Sequence, residues 1–222
     1  MKFSIVTLFP EVFDPILNSS ILKRAQKKGL VEFKLINLRD FGEGKHKLVD
    51  DSPYGGGAGM VLRADILAKA VAEPKGSRII LTSASGEPYT QKVARELSKL
   101  KAITIVCGHY EGVDQRFIDK YVDMEISIGD FVLTGGEIPA MAVVDSITRL
   151  IPSVIEKPEA VINESFTESL LEGPQYTRPE VFYGQKVPEV LLSGNHAKIS
   201  EWRKAKALEK TKKVRPDLLK GV

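Results

Sequence analysis

Five short runs rich in β-branched and aliphatic residues, at 3–9, 31–38, 78–82, 103–107 and 124–127, are separated by stretches long enough to hold helices. The helical patterns fall near 11–28, 64–72, 90–99, 114–121 and 138–150. Strands this apolar leave no face for water. Their alternation with helices therefore predicts an α/β fold with a mainly parallel sheet covered on both sides. Such sheets take ligands beyond the carboxyl ends of their strands. Glycine-bearing turns stand at three of those ends, at 83–86, 108–112 and 129–136. Three turns at one edge predict a pocket.

After Pro152 the texture changes. Residues 1–154 read as the α/β domain. Residues 155–168, with Pro158 and scattered acids, read as a mobile linker. Residues 169–222 form a short, proline-punctuated domain that ends in a helix. There Ile199, Trp202, Ala205 and Leu208 recur every three residues, which predicts one apolar helix face used for packing. The overall charge of +3 is unevenly spread: from His196 onward nine Lys/Arg stand against three Asp/Glu. A basic segment on a near-neutral body is the electrostatic footprint of a nucleic-acid binder, although a solvated lysine-rich helix gives the same count.

Several function classes lack their motifs. The run Gly55-Gly56-Gly57-Ala58-Gly59-Met60 misses the last glycine of a dinucleotide fingerprint and follows Ser-Pro-Tyr rather than a strand. No phosphate loop, GxSxG elbow or zincin spacing among His46, His109 and His196 occurs. The single cysteine, Cys107, excludes an internal disulfide framework and a multi-cysteine zinc site. The apolar run at 3–9 meets Pro10 and Glu11 at once, unlike a signal peptide, and no stretch of 18 apolar residues spans a membrane. A cytoplasmic protein is expected.

Two constellations carry chemistry. In Cys107-Gly108-His109-Tyr110-Glu111-Gly112-Val113-Asp114 two glycines bracket an aromatic ring and a carboxylate directly after a strand. Glycine there lets main-chain amides approach a ligand, though strand-end turns often hold glycine for structural reasons alone. In Ser127-Ile128-Gly129-Asp130-Phe131-Val132-Leu133-Thr134-Gly135-Gly136-Glu137-Ile138-Pro139-Ala140-Met141 a strand turns into a helix through three glycines. A looping chain of that composition offers N–H and C=O groups that can read a purine edge.

These motifs, together with 51–60, Gly173-Pro174-Gln175-Tyr176-Thr177-Arg178-Pro179-Glu180, Leu191-Leu192-Ser193-Gly194-Asn195-His196-Ala197 and Arg215-Pro216-Asp217-Leu218-Leu219, resemble the bacterial tRNA (guanine-37-N(1))-methyltransferases of the knotted SPOUT superfamily. The matches run in order over essentially the whole chain. The resemblance implies a deep trefoil knot in the α/β domain, against the usual rule that connections do not thread. It also implies a homodimer with active sites at the subunit interface, S-adenosylmethionine bound in a bent form, and tRNA held by its anticodon branch. The methyl group would go to guanine 37, which supports reading-frame maintenance.

By position, the cofactor would be enclosed by Leu81, Thr82, Ser83, Ala84 and Ser85; by Gly108, Tyr110, Glu111 and Gly112; and by Ile128, Gly129, Asp130, Phe131, Val132, Leu133, Gly135, Gly136 and Pro139. Arg149 matches the family's catalytic arginine. Glu164 stands where the family has an aspartate as general base, one methylene longer, with Glu111 and Asp114 as alternative carboxylates. Leu81–Gly86 also departs from the family's pattern, losing an aromatic residue at 81, and Phe131 replaces a common tyrosine and loses its hydroxyl. His46, Asp50, Arg178, Lys198, Arg203 and Lys206 would meet tRNA. Magnesium is associated with the family's catalysis, but no carboxylate cluster announces a dedicated metal site. Two rivals remain: a non-catalytic RNA binder of the same fold, and a knotted methyltransferase with another target.

Overall fold

A computed structural model describes residues 1–73, 75–157, 161, 164–167 and 169–219. They form two compact units, Met1–Glu156 and Lys157–Val222. Residues 158–160, 162–163 and 168 of the expected linker lie outside the described residues, as do 220–222 of the basic segment.

The first unit runs β1 (Lys2–Thr7), α1 (Asp14–Leu17), α2 (Ser20–Lys27), β2 (Glu32–Asn37), β3 (Asp50–Asp51), β4 (Val61–Leu62), α3 (Ala64–Val71), β5 (Arg78–Pro88), α4 (Gln91–Leu97), β6 (Ala102–Cys107), α5 (Gln115–Tyr121), β7 (Met124–Ser127) and α6 (Glu137–Thr148). Five strands make one sheet in the order β2-β1-β6-β5-β7, and every neighbouring pair is parallel. Parallel neighbours need crossover connections, which is why helix-length segments separate them in sequence.

The period of two along each strand divides the core into two layers. Phe3, Ile5, Ile80, Ile103 and Ile105 face Phe13, Leu22, Val143 and Ile147 from α2, α6 and the turn before α1. Val6, Leu81 and Val106 face Ile66 and Leu67 of α3 and Phe117 of α5. Ile5, Ile80, Ile103 and Ile105 have no exposed surface, and each contributes about 1.5–3 kcal/mol of burial.

The helical pattern expected at 11–28 is broken in the structure into a 3-10 turn at Pro10–Val12, then α1, then α2. Pro15 accounts for the first break: it has no N–H to give and its ring would strike the carbonyl four residues back, so it sits in the first turn of a new helix. The second break falls at Ser20, which takes a left-handed φ of 42°. Strand β5 outruns its expected end at 82. It reaches Pro88, with its register against β7 shifting between Thr82 and Glu87, so 83–86 bulge out at the sheet edge. Beyond the bulge the Tyr89 hydroxyl and the Ser146 hydroxyl share a hydrogen bond of 2.7 Å, and burial pushes the phenol pKa up to about 12.

The second unit carries a hairpin of β8 (Val181–Phe182) and β9 (Gln185–Lys186), whose two-residue turn has Tyr183 and Gly184 at φ of 44° and 77°. Its main element is the helix His196–Val214, capped by Asn195, whose side chain accepts the Lys198 N–H at 3.1 Å. The apolar face differs from the expected one. Ile199 and Trp202 are half-buried, but Ala205 and Leu208 are exposed, and the fully buried residue is Thr211. Steps of three fall about 60° short of a full turn each time, so a strict three-residue stripe winds off the buried face. The Thr211 hydroxyl accepts the Leu171 N–H at 2.8 Å, Glu172 N–H donates to Ser165 Oγ at 3.0 Å, and Phe166 N–H donates to Leu170 O at 2.8 Å. No helix among the described residues is long and apolar enough to cross a membrane.

Candidate functional site

The carboxyl ends of β5, β6 and β7 open onto a single cavity of ≈ 450 Å³. Its first wall is the β5 bulge, Leu81–Ser85. The second is the turn after β6, where Gly108, Tyr110, Glu111 and Gly112 stand. The third is the chain between β7 and α6, from Ile128 to the Pro139 ring, and it includes Gly129, Phe131, Val132, Leu133, Gly135 and Gly136. Of the cofactor residues expected from sequence, Asp130 alone is not part of the lining; its side chain is exposed. His109 and Thr134, inside the expected stretches 108–112 and 128–139, also line the cavity; sequence reasoning missed Val113, Gln115, Ile118, Glu125 and Ser127, which do so too. Glu125 was legible in principle, because its place in the apolar run at 124–127 puts a charge where a parallel strand wants none.

The three walls are clasped at Gly136. Its N–H donates to Gly108 O at 2.7 Å, its carbonyl accepts the Thr82 hydroxyl at 3.2 Å, and Gly135 bridges to His109 as in an antiparallel pair. A Cβ on Gly136 would overlap the Thr82 hydroxyl and come within 2.6 Å of Gly108 N and 2.8 Å of Cys107 Cα. Glycine is needed here for close approach; the φ of −82° is open to any residue. Directly after it, Glu137 begins α6 and its carboxylate accepts the Thr7 hydroxyl at 2.8 Å, tying the helix to the end of β1. Burial, with the Glu137 charge beside it, pushes the Cys107 thiol well up, so this cysteine is held neutral and unreactive.

A second set of contacts fixes the Tyr110–Asp114 turn from the other side. Strand β4 pairs with β3 on one edge, while on the other Leu62 N–H donates to Gly112 O at 3.0 Å and Asp114 N–H donates to Leu62 O at 3.0 Å. The Glu111 N–H donates to Met60 O at 3.0 Å, and a Cβ on Gly59 would overlap the Glu111 carboxylate. Tyr110 takes a left-handed φ of 59° and stacks on His109 with centroids 4.9 Å apart. Asp114 caps α5 by accepting Arg116 N–H at 2.9 Å, and the Arg116 guanidinium holds its carboxyl below the usual range. The cavity thus offers glycine main chain, aliphatic and aromatic surface, and the Glu111 and Glu125 carboxylates. Ser85 donates to Glu125 at 2.6 Å. That combination suits a flat heteroaromatic group joined to hydroxyls and a cationic centre. Among the described residues no three His, Cys, Asp or Glu side chains group to hold a metal ion.

The profile of the family described as tRNA (Guanine-1)-methyltransferase TrmD matches residues 1–221. The chain belongs to this family. It is 54% identical to a tRNA (guanine-N(1)-)-methyltransferase of Caldanaerobacter subterraneus, over 99% of this chain and 92% of that protein. Identity to the tRNA (guanine-N(1)-)-methyltransferase of Bacillus subtilis is 52%, over 99% and 93% of the two chains. The protein of the same name from Geobacter sulfurreducens is also 52% identical, over 99% and 91%.

Within the first unit, Arg149, Asp50 and His46 are not part of the cavity lining. Arg149 is half-buried and closes α6, its N–H donating to Asp145 O at 3.1 Å. Asp50 is half-buried on β3, and His46 is exposed at the tip of a hairpin between Glu43 and Leu48. Glu164 belongs to the second unit, is half-buried, and its carbonyl accepts Thr167 N–H at 3.3 Å. Arg178, Lys198 and Arg203 are exposed in that unit, and Lys206 is ion-paired to Glu209 at 2.7 Å.

Proposed function

We propose that this chain transfers a methyl group from S-adenosylmethionine to ring nitrogen 1 of guanine 37 in tRNA. The observation that carries this reading is the single cavity made by three glycine-bearing strand ends in a chain of the tRNA (guanine-1)-methyltransferase family. Its volume lies within the usual range of about 300–1,000 Å³ for small-molecule sites, and its two carboxylates complement a positively charged sulfonium ligand. When bound, S-adenosylmethionine supplies an electrophilic methyl group.

The chain's own residues do the rest. Main-chain groups of 108–112 and 128–136 read the adenine edge, and Glu111 and Glu125 face the hydroxyls and the cationic centre. Guanine nitrogen 1 carries a proton at neutral pH and must lose it to become a nucleophile. Glu164 takes that proton, and the Arg149 guanidinium stabilises the negative charge that grows on the neighbouring carbonyl oxygen. Arg149 and Glu164 meet across the interface of a homodimer, and the wall 128–136 passes through a trefoil knot. The helix His196–Val214 neutralises phosphates of the anticodon branch with Lys198, Arg203 and Lys206, and Arg178, His46 and Asp50 approach the loop that holds the flipped guanine. The donor set includes no metal cluster among the described residues, and no step here uses one.

The test is labelled methyl transfer to unmodified tRNA transcripts, followed by mapping of the methylated nucleoside. Label at N1 of guanine 37 is expected. No incorporation would leave only an RNA-binding role, and incorporation that persists when guanine 37 is replaced would overturn the choice of target.

A further inference from the structure

The hairpin that carries His46 is braced from below by an arginine that no motif singles out. Glu43 and Leu48 exchange both main-chain hydrogen bonds, at 3.0 and 2.9 Å, and Lys45 and His46 stand exposed at the tip. Both acids at its base are paired with cations. Lys47 meets Asp40 at 3.2 Å, and the Arg63 guanidinium meets Glu43 at 2.7 Å. The same guanidinium forks onto Asp65 through Nε at 3.1 Å and Nη2 at 2.9 Å, and the Arg63 N–H donates to the carbonyl of buried Val49 at 2.9 Å. Arg63 therefore ties three things together: the base of the hairpin, the strand that leads into Asp50, and the first turn of α3.

We infer that Arg63 is a positioning residue for tRNA: by holding Glu43 it sets the direction of the 43–48 hairpin that carries His46. The inference rests on the reading that His46 and Asp50 meet RNA. Its geometry is specific to arginine, since a planar fork can serve two carboxylates in fixed directions whereas an ammonium cannot. The Arg63 side chain is 26% exposed, so solvent screens the pair only in part, while the Glu43 carboxylate, 67% exposed, can be neutralised without disturbing the core.

The experiment measures steady-state methylation of an unmodified tRNA transcript by the full chain, with cofactor Kd by calorimetry and the melting temperature for each variant. Arg63→Gln and Glu43→Gln are each expected to raise KM for tRNA about fivefold, the upper end for such an ion pair, with kcat and cofactor Kd nearly unchanged. The double variant should be no worse than either single one, Arg63→Lys should fall between, and high salt should narrow every difference. An unchanged KM in Glu43→Gln, or cofactor Kd rising in step with KM as the melting temperature falls, overturns the positioning role. His46→Ala and Asp50→Ala separate the two levels. If they raise KM and Glu43→Gln does not, only the role of Arg63 falls; if neither raises KM, the RNA reading falls and takes the inference with it.

Discussion

Replacing Gly136 by alanine tests how the cavity is held together. The new methyl group would stand 2.6 Å from Gly108 N and 2.8 Å from Cys107 Cα, so the main chain must open by roughly 0.6–0.8 Å to reach ordinary contact. Neither neighbour is a side chain that can rotate away. Forcing one methyl group into such packing costs about 1–3 kcal/mol. Relief comes only by drawing the 128–136 wall off the ends of β5 and β6, which weakens the 2.7 Å bond to Gly108 and the 3.2 Å bond from Thr82. Each of those contributes about 1 kcal/mol. Cofactor affinity measured by calorimetry should fall at least tenfold, which is about 1.4 kcal/mol. The melting temperature should fall by about 4–8 °C for a loss near 2 kcal/mol. A Kd within about twofold of the parent and an unmoved melting temperature would refute the close packing at this crossing, because φ of −82° offers no conformational penalty to hide behind.

Four further outcomes are expected. Glu164→Gln should lower single-turnover methyl transfer by about 100-fold or more with cofactor Kd intact, as for loss of a general base; unchanged turnover moves the proton to Glu111 or Asp114. Arg149→Ala should lower kcat by about 100-fold while the cofactor binds normally, and an effect confined to KM would deny it a role in the transition state. Thr148→Val should raise the melting temperature by about 2–4 °C, because the buried Thr148 hydroxyl finds no hydrogen-bond partner among the described residues; a lower value would mean that the hydroxyl is satisfied. The Cys107 thiol has its pKa raised in the folded chain, so its contribution to stability is complete below the unfolded value of about 8.5 and is lost as pH rises through the folded one. Urea melts should show a decline above that pH which Cys107→Ala abolishes, and the native thiol should resist thiol reagents.

The α/β class, all five sheet strands and the three converging turns were legible because burial on both faces leaves long apolar runs, and such runs do not depend on distant contacts. The break at Pro15 was visible too, yet the helical periodicity around it outweighed one residue. What sequence could not supply were facts of approach in space. Gly136 looks like any other helix-start glycine until Thr82, Gly108 and Cys107 are seen around it. Arg63 gives no pattern at all, since its partners lie 20 residues back and two ahead. The helix face at 199–211 failed for a metric reason: a three-residue step nearly matches the helical period and drifts from it within three turns.

The order of the cavity walls along the chain has a consequence for synthesis. When the ribosome has released residues up to Cys107, β1, β2, β5 and β6 are present, but β5 has an unpaired edge and the third wall does not yet exist. An open edge of that kind invites pairing with other chains. Only 20 residues later does β7 cover it, and the wall from 128 to 139 follows immediately. A ligand stabilises the states that bind it and no others, by about 2.7 kcal/mol at a hundred times its Kd. Ligand in the cavity therefore gives no help to the nascent four-stranded intermediate. It acts as a ratchet on the last step, drawing the equilibrium toward the finished unit once Gly136 has reached its place.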